Sequence, residues 1–130
     1  MTIDRYFVCQ EVGRAINPDA VIGQIQGGVA QGLGYALWER VEIDRGRYVQ
    51  RNVARPGLPL AGDVPVIEAT LMENPEAAGP YGAKGVAEPP IVPVAAAVAN
   101  AIADAVGSPI DTLPITPEAV LAALDEAACE

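Results

Sequence analysis

The chain has 130 residues, 51% of them hydrophobic and only 5% aromatic, which suits one small domain with a core of Ala, Val, Ile and Leu. Eight basic against seventeen acidic residues leave a net charge of −9, which disfavours contact with nucleic-acid phosphates and with anionic membrane surfaces. With no histidine and two cysteines, Cys9 and Cys129, the chain alone cannot build a His/Cys zinc site, a Ser–His–Asp triad or a Cys–His pair.

The N-terminal stretch TIDRYFVCQEV (2–12) is rich in β-formers and predicts a strand over 3–9. No segment precedes it to pair with, so the chain reads as beginning at a hairpin's second strand. It has no charged start followed by an apolar run, so it does not read as a signal peptide. Nor does any 18-residue apolar stretch read as a membrane span. Two free thiols in a reducing cytosol are expected, with a Cys9–Cys129 disulfide left open, and the location expected is cytoplasmic.

A helix is predicted over 18–39. Asn17 suits the N-cap, Pro18 the first helical position, and Asp19 the dipole. Val21, Ile22, Ile25, Val29, Leu33, Ala36 and Leu37 recur at helical spacing. Five glycines (Gly23, Gly27, Gly28, Gly32 and Gly34) interrupt it, each costing about 1 kcal/mol relative to Ala. What they offer in return is close approach of another backbone or of a ligand. Gln24, Gly28 and Gln31 share one face, which reads either as a narrow polar groove or as tight packing flanked by solvated amides.

Residues 40–53 predict a β-hairpin turning at Asp44–Gly46, 53–63 a loop broken by Pro56 and Pro59, and 64–74 a strand. That strand places Val66, Glu68, Thr70 and Met72 on one side and Ile67, Ala69 and Leu71 on the other. After a loop over 75–90, residues 91–106 predict a largely buried helix stopped by Gly107. A last helix starts at Pro117, capped by Thr116. The order β, α, β, β, β, α, α is an α+β fold: a small mixed sheet packed with about three helices. It is read as one partial domain over 1–130.

The loop GPYGAKGVAEPP (79–90) holds a single carboxylate, Glu88, ahead of two prolines. Pro89 pushes Glu88 out of the helical region, and the helix start expected just beyond would favour its negative charge. The arrangement suits a general base in a cleft, or equally an exposed acid beside a helix start.

Residues 12–37 (VGRAINPDAVIGQIQGGVAQGLGYAL), 79–107 (GPYGAKGVAEPPIVPVAAAVANAIADAVG) and 113–124 (LPITPEAVLAAL) resemble the C-terminal part of the molybdopterin-binding subunit of the molybdenum hydroxylases. That is the xanthine dehydrogenase and aldehyde oxidoreductase family. The resemblance spans roughly residues 2–125. It implies an oxidoreductase that hydroxylates a heteroaromatic or aldehyde carbon with water-derived oxygen. The molybdenum is held by the sulfurs of molybdopterin, often the cytosine dinucleotide form, so no protein metal ligand is needed. By matching motifs, Glu88 is the general base on the Mo–OH group. Gln31 lies beside the cofactor, Gly27, Gly28 and Gly32 let the helix approach it, and Gly85, Val86 and Ala87 line the loop next to the metal. The resemblance also implies a complementary molybdenum-domain chain, with iron–sulfur and flavin subunits as electron carriers.

There are departures from the family pattern. Ala87 stands where the family usually has Gly, Gln26 where many relatives carry His, and residues 54–59 lack an Asp–Tyr pair. The family subunit is several times longer. Three readings result: a segment or small subunit of such an enzyme, inactive alone; a non-catalytic remnant or interaction module that binds no cofactor; or a small binding domain unrelated to molybdenum, with the motif match accidental. The chain is expected to self-associate or to bind a partner chain.

Overall fold

The computed structural model describes residues 1–50, 52 and 57–127. The elements run β1 (Arg5–Glu11), α1 (Pro18–Leu37), β2 (Ile43–Asp44), β3 (Arg47–Tyr48), β4 (Val66–Met72), α2 (Val94–Val106) and α3 (Pro117–Ala127). A single 3-10 turn, Pro80–Gly82, lies in the glycine-rich loop. Among the described residues the fold is thus the α+β arrangement expected, with three helices and little sheet.

The pairing of β1 differs from expectation. Rather than lacking a partner as a hairpin strand would, β1 pairs in parallel with β4, from Arg5 opposite Val66 to Glu11 opposite Met72. Parallel pairing needs a crossover, and α1 lies in it. A sequence scan for adjacent strands overlooks such a partner. The side-chain alternation of β4 is as read: Ile67, Ala69 and Leu71 are half-buried, whereas Val66, Glu68, Thr70 and Met72 are exposed. On β1, Tyr6 and Val8 join the core side while Phe7 and Cys9 face outward.

The capping residues of α1 act as their types predict. Asn17 Oδ1 accepts from the Ala20 N–H at 3.1 Å, and Pro18 opens the first turn. The helix stops at Leu37, two residues short of the predicted end, where the Trp38 and Glu39 N–H groups both donate to Gly34 O. Ile25, Val29, Leu33, Ala36 and Leu37 form its buried stripe, meeting Val94, Val98 and Ile102 of α2 and Ile115 of the tail. Two glycines set this helix–helix distance. A Cβ on Gly32 would lie 2.5 Å from Val94 Cβ, and one on Gly28 would lie 2.8 Å from Pro90 Cβ.

α2 is shorter and less buried than expected. It begins at Val94, after a turn over 89–93, and buries only Val94, Val98 and Ile102. Its all-round apolar character comes mainly from alanines, which pack against little on the outer side. Gly107 ends it in the left-handed conformation with φ 79°. α3 is capped as expected, the Ala119 N–H donating to Thr116 Oγ1 at 3.3 Å. Before it, Leu113–Pro114 is cis and the Ile115 N–H donates to Ala36 O at 2.7 Å, tying the tail to α1.

The β2–β3 hairpin turns through Arg45 and Gly46, both with positive φ. It is much shorter than the predicted 40–53 and fully exposed. Residues 51 and 53–56, on which part of the expected hairpin and loop fall, lie outside the described residues, as does Cys129 with its open disulfide. Cys9 is an exposed free thiol. No helix among the described residues is long and apolar enough to cross a membrane.

Candidate functional site

The glycine-rich loop is held at its start by the end of β1. The Arg14 N–H donates to Gly82 O at 2.8 Å, and the Lys84 N–H donates to Val12 O at 3.1 Å. Gly13, with φ +67°, lies where a Cβ would meet Gly82 O at 2.5 Å and Lys84 N at 2.9 Å, so only glycine fits. Lys84 Nζ lies 2.8 Å from Glu11 Oε2, while Glu11 Oε1 accepts from the Gly13 N–H at 2.8 Å. The Lys84 hydrogen bond first, then the Gly13 amide, hold the Glu11 carboxyl below its ordinary range. The lysine of the KGVAEPP motif therefore neutralises Glu11, not Glu88.

The far end of the loop packs on α1. Gln24 Nε2 donates to the Ala87 carbonyl at 2.8 Å, and the Ile91 N–H donates to Glu88 O at 3.0 Å. Pro90 is buried over Gly28. Glu88 itself is exposed, and among the described residues its carboxylate makes no hydrogen bond or ion pair. The expected support from a helix start is not there, because the turn over 89–93 separates Glu88 from α2. Its backbone is set instead by Pro89, the Gln24 bond and the Ile91 turn.

Between α1 and this loop lies a cleft of about 630 Å³, lined by Gln24, Gly27, Gly28, Gln31, Tyr35, Ala87, Glu88 and Ile91. The fold thus gathers Glu88, Gln31, Gly27, Gly28 and Ala87 at one place. Three other named residues point elsewhere. Gly32 is buried against Val94, Val86 packs on the core, and Gly85 is exposed outside the cleft lining. Nothing stands where a Cβ on Gly27 would project, so the helix wall is open at that point. Gln31 Nε2 donates to Tyr35 Oη at 3.2 Å, which turns the amide along the helix. Tyr35 escaped the sequence reading, although it continues the Gln24, Gly28, Gln31 face by one more turn.

Residues 1–65 match the family model of the molybdopterin cofactor-binding domain. The chain belongs to this family. As a molybdopterin-binding-domain chain it is 40% identical over 120 residues to a xanthine dehydrogenase molybdenum-binding subunit of Escherichia coli O157:H7, an alignment covering 91% of this chain and 16% of that subunit. Its fold matches quinoline 2-oxidoreductase of Pseudomonas putida 86 with a TM-score of 0.87 and 34% identity, over 96% of this chain and 16% of that one. Aldehyde oxidoreductase of Desulfovibrio gigas matches with a TM-score of 0.85 and 36% identity, over 95% and 14%. The chain spans about one sixth of the length of the curated relatives it matches.

Proposed function

We propose that this chain is one partial domain of a molybdenum hydroxylase, and that its α1–loop cleft forms one wall of the cofactor and substrate site. The observation that carries the reading is the convergence of Gly27, Gly28, Gln31 and Glu88 on a single cleft. The residues suit molybdopterin. The Gln31 carboxamide offers a donor and an acceptor to a polar heterocycle, and the open space at Gly27 lets it approach the helix backbone. By the resemblance, the cofactor's own sulfurs would hold the metal, and this chain would supply no ligand.

When bound, the cofactor supplies the redox centre that takes two electrons from the substrate carbon as oxygen from water is added. The chain's own part is proton transfer and positioning. The Glu88 carboxylate oxygens take up the proton released in that step. Gln31 orients the cofactor with its amide, and Gly27 and Gly28 keep the wall thin. Gly32, Gly85, Val86 and Ala87 act less directly: Gly32 sets the α1–α2 distance, and 85–87 carry the backbone into Glu88. The cofactor form implied by the resemblance is the cytosine dinucleotide, and the location is cytoplasmic.

The substrate is an aldehyde or a nitrogen heteroaromatic, the classes in the names of the relatives. The rest of the site comes from a complementary molybdenum-domain chain, with iron–sulfur and flavin subunits as electron carriers. The exposed sheet face with Phe7, Val66 and Met72 supports such a partner, because parallel strands are ordinarily covered on both faces. A second reading is a non-catalytic module of the same fold without cofactor.

Native purification of the tagged chain, with mass and molybdenum content read together, separates the two. Molybdenum with a larger co-purifying chain is the expected result. A metal-free chain running alone or as a homo-oligomer overturns the enzyme reading.

A further inference from the structure

We infer that Gln24 is the positioning residue for Glu88, acting through the Ala87 carbonyl. The inference rests on the reading of Glu88 as the base. The Ala87 C=O and the Glu88 N–H belong to one planar peptide unit. The 2.8 Å bond from Gln24 Nε2 fixes that plane against α1. On its other side the Glu88 carbonyl accepts from the Ile91 N–H at 3.0 Å, and Pro89 restricts the backbone between. Gly28, one turn along α1 from Gln24, brings Pro90 onto the helix and makes the short reach of the Gln24 amide possible. Glu88 is otherwise exposed and unpaired among the described residues, so nothing else on its side chain sets its direction.

Gln24 is exposed and packs no core, so its amide serves this bond rather than the stability of the helix. A base displaced by about 1 Å loses on the order of a hundredfold in rate, so one clamp on the preceding peptide has a large effect. The element that delivers the clamp, α1, is the same helix that lines the cleft, so base and cleft wall keep one register.

The test is Gln24→Met, which keeps length and helix propensity and removes the donor. Hydrogen exchange on the full 130-residue chain should speed up over 85–92, where the Ile91 amide reports the turn, and stay unchanged over 94–106. Unchanged exchange over 85–92 overturns the clamp. In the assembled enzyme, on a panel of xanthine, quinoline and benzaldehyde, kcat should fall about tenfold or more with KM and molybdenum content unchanged. An unchanged kcat beside faster exchange overturns the positioning role. Glu88→Gln, run in parallel, judges the base reading itself. Full turnover in that variant removes the base, while the exchange result still decides the clamp.

Discussion

Glu88→Gln keeps the size of the side chain and removes its capacity to accept a proton. In the assembled enzyme it should abolish turnover, a loss of about a hundredfold or more, while molybdenum stays bound. Steady-state kinetics beside metal analysis checks this, and retained activity sinks the base assignment. Two glycines one and a half turns apart on α1 should behave in opposite ways. Gly32→Ala drives a methyl into Val94 and should destabilise the chain by about 1–3 kcal/mol. Gly27→Ala meets nothing and should stabilise the isolated chain by about 0.5–1 kcal/mol, through helix propensity. If the cleft seats the cofactor as proposed, the same Gly27 variant lowers molybdenum loading. Thermal melts and metal content together separate the two effects. From the sequence, both glycines looked alike, because helical spacing does not say which face meets a neighbour and which meets space.

Among elements, the caps and periods were legible. Asn17, Pro18, Thr116 and Gly107 end their helices as their side chains and backbones dictate, and Ile67, Ala69 and Leu71 face inward by alternation. What stayed hidden depended on long-range contacts. The β1–β4 pairing joins strands far apart in sequence, and the late start of α2 depends on Pro90 seating over Gly28. The partners of Lys84 and Gln24 were hidden for the same reason, since both bonds join segments distant in the chain. The tie between β1 and the loop predicts a pH response. Glu11 is held below its ordinary range, so its contribution is fully present above about pH 4.5 and is lost as pH falls through the lowered folded value. Wild-type chain should therefore lose more stability between about pH 5 and pH 3 than Glu11→Gln. Chemical denaturation across that range checks it, and parallel curves for the two proteins would mean the pair carries no linkage.

For the whole molecule, the distribution of apolar surface matters most. The helices cover one face of β1–β4, and the other shows Phe7, Val66 and Met72, each more than half exposed. Phe7→Lys should leave the far-UV circular dichroism unchanged, because the side chain packs on nothing in the core. It should abolish co-purification of the proposed partner chain. Co-purification at wild-type yield would place the docking surface elsewhere.

The exposed β2–β3 turn at Arg45–Gly46 joins two groups of elements that hold each other without it. Before it come β1 and α1; after it come β4, α2 and α3. The β1–β4 ladder, the α1–α2 seam and the Ile115–Ala36 bond all bridge the turn. A protease nick there should leave two peptides that elute together, and the same two peptides made from separate genes should find each other and fold as one body.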